Sequence, residues 1–296
     1  MTHEALRPTE VSHQNGLEQA IGRYEQSESF LDLSENTRLA YAADLAQFQK
    51  YCRTQDISEV SKIESEDIRS WHYQLRQAGR APATINRKSK SLSVFFGWAQ
   101  AEGIIQPDFT ISLPKCKPVE KKQPRVLSAG EADSLISKAR NLRDASLILI
   151  ALATGANITE ILNLNAEDIL KTGDGNTAIR FKGGIHKTQP RTLVVDKRSG
   201  DKITEYIKDS GLKPEDPLLL GSNSQEDGRL TRGGAHLILK QYRREIGVEN
   251  LNPRMLRDTF IANFAGTPQE LDAKLGRRRK PESVRSTYSP RRLLKI

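Results

Sequence analysis

Cysteine is scarce in this chain: only Cys52 and Cys116 occur among 296 residues. Two cysteines cannot form a disulfide framework or a four-ligand zinc site, and the histidines show no metal-ligand spacing. We therefore expect no metal and no cofactor. So low a cysteine content also suits a reducing cytosol, so we expect a cytoplasmic location, next to the nucleoid in a bacterium.

Long apolar runs are missing as well. The longest, residues 145–153, is broken by Ser146 and is far shorter than the roughly 20 residues of a membrane-spanning helix. The first residues, Met-Thr-His-Glu, lack the basic and then apolar pattern of a secretion signal. With 36% hydrophobic and 28% charged residues the composition is that of a folded globular protein, and no membrane partner is expected.

Acidic residues are fewer than basic ones, and the two are unevenly distributed. The formal net charge is +9, yet residues 1–35 hold seven acidic and two basic residues, a net of −5, which leaves +14 for the rest. Much of this positive charge lies in residues 114–125 and 274–296. Such patches are typical of proteins that bind a polyanion such as DNA, although a solvated charged surface has the same composition.

Proline and lysine together indicate a linker over residues 113–125. Its three prolines block helices and central strands, and its like charges keep the segment extended. A chain of this length is expected to hold about two domains. We predict an acidic arm over residues 1–16, a helical domain over 17–112, the linker, and a second domain over 126–296. The linker bases are candidate DNA contacts: Lys115, Lys117, Lys121 and Lys122.

Helical periodicity dominates the first predicted domain. One helix is predicted over about residues 35–53, because apolar residues recur on one face: Tyr41, Leu45, Phe48 and Cys52. A second is predicted over about 65–79, and a third from about residue 83 to Gly103. The other side of the third helix is basic and is a candidate DNA-binding face: Arg87, Lys88 and Lys90.

The second predicted domain mixes two patterns. Ser128 and Glu131 form a capping box that begins one helix, and a nearly all-apolar helix follows over about 144–154. Two β-rich runs, 177–182 and 191–196, flank a glycine turn and predict an antiparallel hairpin. Further helices are predicted near 200–209, over 231–246, from Pro253 and from Thr267. The expected fold class is mainly α with a small antiparallel β-sheet.

Six segments, in this order and spacing, resemble the tyrosine recombinases, the family of phage integrases and Xer-type recombinases. Residues 37–48 and 83–99 are similar to the family's helical, SAM-like core-binding domain. In the second domain, residues 153–164 resemble the segment with the first catalytic arginine, and His186-Lys187-Thr188 resembles the β-hairpin lysine. Residues 253–260 resemble the His-x-x-Arg box, and Leu275-Gly-Arg277 with Tyr288 resembles the last site region. The resemblance covers about residues 17–290.

The resemblance implies an enzyme that cuts and rejoins DNA without a metal. A tyrosine attacks a phosphodiester, forms a phosphotyrosyl link and releases a 5′-hydroxyl. Arginines stabilise charge on the non-bridging oxygens, while lysine and histidine assist proton transfer. The candidate catalytic residues are Tyr288, Arg257, Lys187, Arg254 and Arg277. Arg278 and Arg279 are candidate DNA contacts.

Three site positions differ from the family's pattern. Asn157 stands where the first catalytic arginine is expected, and Arg254 and Arg277 stand where histidines are expected. Losing one preorganised donor typically costs on the order of 10²–10³ in rate, and losing an acid–base group costs about as much. Compensation would come from Arg254 and Arg257, spaced i,i+3 on one helix face, together with Arg277 and Lys187. We expect Asn157 to keep a buried structural place beside Glu160.

The sequence leaves two functions open. The first is a diverged recombinase or integrase that still uses Tyr288 for site-specific DNA recombination. The second is a recombinase-like chain that has lost strand exchange and acts as a DNA-binding accessory or regulatory protein. Both bind double-stranded DNA. The resemblance implies four protomers on two duplexes, or a recombinase partner that supplies the missing groups.

Overall fold

The computed structural model describes residues 16–106, residue 116, and residues 124–184, 188–221 and 228–277. These residues form two compact units, one of residues 16–106 with Cys116 and one that starts at Pro124. The predicted acidic arm and most of the predicted linker lie outside the described residues. So do the four linker lysines.

The first unit is built from helices. Residues 16–106 contain five of them and one 3₁₀ turn at Val60–Lys62: α1 Leu17–Glu25, α2 Glu28–Leu31, α3 Glu35–Thr54, α4 Ser65–Gln77 and α5 Pro82–Ala101. The three predicted helices correspond to α3, α4 and α5 and are confirmed to within two residues at nearly every end. Proline at the first turn of α5 suits a helix start, and Gly103 after its end has φ +68°.

One face of each long helix makes the core of the first unit. Leu45, Phe48 and Cys52 of α3 have no exposed surface, as their periodicity predicts. On α5, Ile85 and Leu92 are equally buried. These faces pack around aromatic side chains from α1 and α4, so the hydrophobic stripes of this unit serve packing.

The second unit combines seven helices and one sheet within the described residues. The helices are α6 Ala129–Ser137, α7 Leu142–Thr154, α8 Ile158–Leu162, α9 Lys197–Asp209, α10 Arg232–Tyr242, α11 Pro253–Asn263 and α12 Pro268–Lys274. The strands are β1 Ile169–Lys171, β2 Thr177–Phe181 and β3 Arg191–Val195. They form an antiparallel sheet in the order β1-β2-β3. The fold class is therefore mainly α with a small antiparallel sheet, as predicted.

Some elements of the second unit differ from the sequence-based expectation. β1 has three residues and α8 has five, so neither is long enough to show a periodicity. The helix predicted over 231–246 ends at Tyr242 instead. No helix in the described part of the chain is both long and apolar enough to cross a membrane.

Helix α7 organises the second unit. It is almost entirely apolar, and most of its residues from Asp144 to Ala151 are buried. Its main neighbours are α9 and α11. Because α7 ends at Thr154, three residues before Asn157, its packing against α11 brings the Asn157 turn next to the residues that α11 carries.

Candidate functional site

Asn157 is the N-cap of α8, and both ends of its amide are used there. Its Oδ1 accepts from the Glu160 backbone N–H at 3.0 Å, and its Nδ2 donates to Glu160 Oε2 at 2.8 Å. The same carboxylate oxygen accepts from the Asn157 backbone N–H at 3.1 Å. This is a capping box, which stabilises the first turn of a helix. Asn157 lies beside Glu160 as expected, although it is only partly buried.

Glu160 also holds an arginine that the sequence reasoning did not single out. Arg191, the first residue of β3, donates from Nη1 to Glu160 Oε1 at 2.6 Å and from Nη2 to Oε2 at 3.2 Å. Only 5% of the Glu160 side chain and 7% of the Arg191 side chain are exposed. Burial would raise the pKa of Glu160, but the hydrogen bonds and charge of Arg191 outweigh it, so the pKa lies below its usual value. The pair stays ionised at neutral pH.

Arg257 reaches the Asn157 turn from α11. Its Nη1 donates to the Gly155 carbonyl at 2.6 Å. Gly155 has φ +60°, and a Cβ there would lie 2.2 Å from Cδ1 of Phe260, one turn away from Arg257 on the same helix. Only glycine combines this backbone conformation with so close an approach. Gly155 therefore fixes where the Arg257 guanidinium lies.

The surroundings of Arg257 disfavour its positive charge. Burial lowers its pKa, and the charge of Arg277 lowers it further. Glu160 and Asp258 act in the opposite direction, but the Glu160 carboxylate is bound to Arg191 and the Asp258 carboxylate lies 3.5 Å from Nε of Arg254. A guanidinium remains charged in a protein, so burying it costs free energy, and a bound anion would reduce that cost. An anion with several acceptor oxygens, such as a phosphodiester, would do this.

Arg277 lies next to the hairpin that carries the predicted Lys187. Its backbone forms a β-bridge with Thr188, and the Gly276 carbonyl accepts from the Gln189 N–H at 2.8 Å. Its side chain is 43% exposed, and its Nη1 lies 3.8 Å from Oδ1 of Asp272. Arg277 is thus held by its backbone while its side chain reaches solvent.

Arg254 differs from its neighbour Arg257. Its side chain is 83% exposed, and its Nε lies 3.5 Å from Oδ2 of the buried Asp258. The i,i+3 spacing predicts that Arg254 and Arg257 project from one face toward one phosphate. The structure instead leaves Arg254 at the surface, paired along its own helix, while Arg257 is partly buried.

The predicted basic face of α5 is divided in the structure. Lys88 is buried: its Nζ donates to Oδ1 of Asp44 at 2.7 Å, and it lies 5.9 Å from the centre of the Trp71 ring. Arg87 is half-exposed and also pairs with Asp44. Lys90 is exposed. The expectation that Lys88 lies on an exposed DNA-binding face is thus corrected, because that lysine neutralises a buried carboxylate.

Several predicted site residues lie outside the described residues and stay predictions. They are Tyr288, Lys187, Arg278, Arg279, Lys115, Lys117, Lys121 and Lys122. Within the described ranges, no group of three or more histidine, cysteine, aspartate or glutamate side chains is arranged to hold a metal ion.

Comparison with known proteins agrees with the two units. Residues 30–103 match the phage integrase N-terminal SAM-like domain, and residues 125–272 match the phage integrase family. The chain belongs to the phage integrase family of tyrosine recombinases. The two matches cover the resembling segments up to residue 260, whereas Leu275-Gly-Arg277 and Tyr288 lie beyond the second match.

Individual relatives cover most of the chain. Tyrosine recombinase XerC of Roseiflexus castenholzii is 28% identical over 84% of this chain and 83% of its own length. The TTE1313 protein of Caldanaerobacter subterraneus subsp. tengcongensis, itself assigned to the tyrosine recombinases, is 31% identical over 78% and 79%. The Tn1549 transposon integrase in complex with transposon right end DNA has a similar fold, with a TM-score of 0.66, 18% identity, and coverage of 88% and 91%.

The sequence contains a signal for one of the two contacts of Glu160. An asparagine followed three residues later by glutamate is a capping-box pattern, so the Asn157–Glu160 contact was readable. The Arg191–Glu160 pair was not, because its partners are 31 residues apart and belong to a strand and a short helix. Nothing in the local pattern of β3 distinguishes Arg191 from a surface arginine.

Proposed function

We propose that this recombinase-family chain binds double-stranded DNA and acts in site-specific recombination, with a backbone phosphate bound by Arg257 and Arg277. The observation that supports this is electrostatic. Arg257 is partly buried, the charge of Arg277 lowers its pKa further, and the Glu160 carboxylate is already bound to Arg191. A phosphate bound there would supply the missing negative charge.

The relatives support the same proposal. XerC is named a tyrosine recombinase, and the Tn1549 integrase was solved in complex with DNA. We propose the two predicted domains, residues 17–112 and 126–296, as separate contributors of phosphate contacts, with Lys90 as the exposed contact on α5. Assembly as a dimer or tetramer on two duplexes, or with a recombinase partner, belongs to the proposal too. So does a location at the nucleoid of a bacterium.

Strand cleavage by Tyr288 is the enzymatic form of this proposal. A DNA duplex with a nick near the cleavage point traps the phosphotyrosyl intermediate, because the cleaved fragment diffuses away before rejoining. The enzyme predicts a covalent protein–DNA adduct that is absent in Tyr288→Phe. Tight binding without an adduct would exclude strand cleavage while leaving DNA binding intact.

A second candidate is a DNA-binding accessory protein that no longer cuts. The capping box favours it, because the Asn157 amide donates to Glu160 and brings no positive charge to the site. Asn157→Arg separates the two. If the adduct forms only in this variant, the natural chain is a binding protein derived from a recombinase. If the variant abolishes an adduct that the natural chain forms, the site works with asparagine.

A further inference from the structure

The buried pair of Arg191 and Glu160 contacts more of the site than any other described ion pair. Besides the two bonds to Glu160, the Arg191 Nε donates to the carbonyl of Lys274, the last residue of α12. The carbonyl end of a helix attracts a cation. The guanidinium also stacks on the Phe181 ring of β2, with 4.6 Å between the guanidinium carbon and the ring centre.

Each of these contacts involves a segment that also carries a residue at a family site position: Asn157, Arg277 or Lys187. Glu160 caps the turn that begins with Asn157. Lys274 is three residues before Arg277. Arg191 itself is the first residue of β3, and Thr188 and the predicted Lys187 precede it by three and four residues in the sequence. One buried guanidinium thus joins three segments that are far apart in sequence.

The turn at Gly276 shows how close this packing is. Gly276 has φ +64°, and a Cβ there would lie 2.7 Å from Nη1 of Arg191 and 3.0 Å from the Gln189 carbonyl oxygen. The Gln189 N–H donates to the Gly276 carbonyl at 2.8 Å. A glycine at this position lets the backbone that leads to Arg277 lie directly against Arg191 and the hairpin.

We propose that Arg191 is a positioning residue: through Glu160, Lys274 and the Gly276 turn it holds Asn157 and Arg277 in place beside the hairpin, without contacting DNA itself. Its own exposure is too low for a phosphate contact, and its N–H groups are directed at protein oxygens. A planar fork is needed to reach several acceptors at fixed angles, and an ammonium group lacks it. Because the role concerns Arg277, the proposal rests on the phosphate site described above.

The first test uses no DNA. In Arg191→Lys, the amides of Gln189 and Arg277 should exchange with solvent roughly tenfold faster or more, because the loss of charge-assisted hydrogen bonds frees the turn. Amides in α7 should keep their rates. Arg180→Lys is the matched control, since Arg180 lies on the neighbouring strand and pairs with Asp168 at 3.1 Å. If Arg191→Lys does not fold, Glu160→Gln replaces it with the same expectation. Unchanged exchange at both amides would overturn the proposal.

The second test measures coupling in DNA binding. Arg277→Gln should weaken binding in the natural chain but have a much smaller effect in the Arg191→Lys background, because Arg277 is then no longer held. Fully additive effects would overturn the positioning role and leave an ordinary structural ion pair. If Arg277→Gln has no effect in the natural chain, the phosphate site itself fails. The exchange experiment then decides the positioning role alone.

Discussion

One helical cation in each unit, Lys88 in the first and Arg257 in the second, has its charge balanced in a different way. In the first unit, Lys88 and Arg87 share the carboxylate of Asp44, which is 1% exposed, so the positive charge is balanced inside the unit. In the second unit, Arg257 is partly buried and the charge of Arg277 lowers its pKa, while the Glu160 carboxylate is bound to Arg191. In the first arrangement the carboxylate is bound to the cations themselves, whereas in the second the Glu160 carboxylate is bound to Arg191 and not to Arg257.

This difference separates structural basic residues from ligand-binding ones. Lys88 lies on α5 and Arg257 on α11, and each is next to another charged residue in the sequence. Counting charges alone would assign Lys88 and Arg257 the same role. The position of the carboxylates distinguishes them, because Lys88 is bound to Asp44 and Glu160 is bound to Arg191. A buried cation with its own acid stabilises the fold, and one without an acid is a candidate for binding an external anion.

The largest expected effect concerns Asp44. Asp44→Asn removes the charge that balances buried Lys88, and we expect a loss of about 3–5 kcal/mol in the free energy of unfolding of the first unit. Urea unfolding followed by tryptophan fluorescence measures this unit selectively, because Trp71 and Trp98 are the only tryptophans of the chain. Glu66→Gln, which breaks the exposed pair with Arg69, is the control and should cost less than about 1 kcal/mol. Equal losses would show that the buried pair is not special.

A substitution of Gly155 tests the close packing between the Asn157 turn and the helix that carries Arg257. Gly155→Ala meets both the positive φ and the Phe260 ring, and we expect a destabilisation of about 2–3 kcal/mol. Calorimetry of the whole chain detects it in the transition of the second unit. In the control, Gly79→Ala, the φ is +71° but no atom lies within 4 Å of the added Cβ, so only the backbone cost of about 1 kcal/mol remains. A Gly155→Ala loss no larger than that of the control would mean that Phe260 moves aside freely.

A direct comparison is between Arg257, which is proposed to bind a phosphate, and Arg87, which pairs with Asp44. Arg257→Gln should weaken DNA binding by roughly 10- to 100-fold and reduce the salt slope by about 1, because a charged phosphate contact is lost. Arg87→Gln should have a much smaller effect, since Arg87 already pairs with Asp44. Binding titrations at two salt concentrations measure both. Equal effects would break the distinction between the two units.

The pH dependence of stability tests the carboxylate of Glu160, which is bound to Arg191. The pKa of Glu160 lies below its usual value of 4.5 in spite of burial, because Arg191 stabilises the charged form. A lowered folded-state pKa contributes stability that is present above the unfolded value and is lost as the pH falls through the folded value. The difference in unfolding free energy between the natural chain and Glu160→Gln should therefore be constant at neutral pH and shrink below 4.5. A difference that grows on acidification would contradict this pairing.

Long periodic segments made most of the fold predictable. The apolar stripes of α3 and α5 and the continuous apolar run of α7 identify helices because each extends over at least three turns. The hairpin of β2 and β3 followed from two β-rich runs around a glycine pair. Short elements such as α8 and β1 carry no such repeat, and their positions are set by tertiary packing.

Site residues were predictable only where the family pattern names them. Asn157, Arg257 and Arg277 were found in this way, and the structure brings the segments that carry them together. The same reasoning put Lys88 on an exposed face, because a sequence cannot show that Asp44, on another helix, lies within reach of it. It also missed Arg191 for the same physical reason. Ion pairs between residues distant in sequence, rather than residue type, distinguish structural cations from those available to bind a ligand.

The smallest expected effect belongs to Lys90, the exposed lysine on the otherwise balanced face of α5. If this face touches DNA, Lys90→Gln should lower the salt slope of binding by about 0.9, the value for one phosphate contact, with little change in stability. Lys50→Gln on α3 is the control, since Lys50 is equally exposed and is not a predicted contact. Identical slopes for the two variants would mean that Lys90 makes no phosphate contact. The affinity of the first unit would then have to come from other residues, and Arg257 and Arg277 would remain the best-supported phosphate ligands in the described part of the chain.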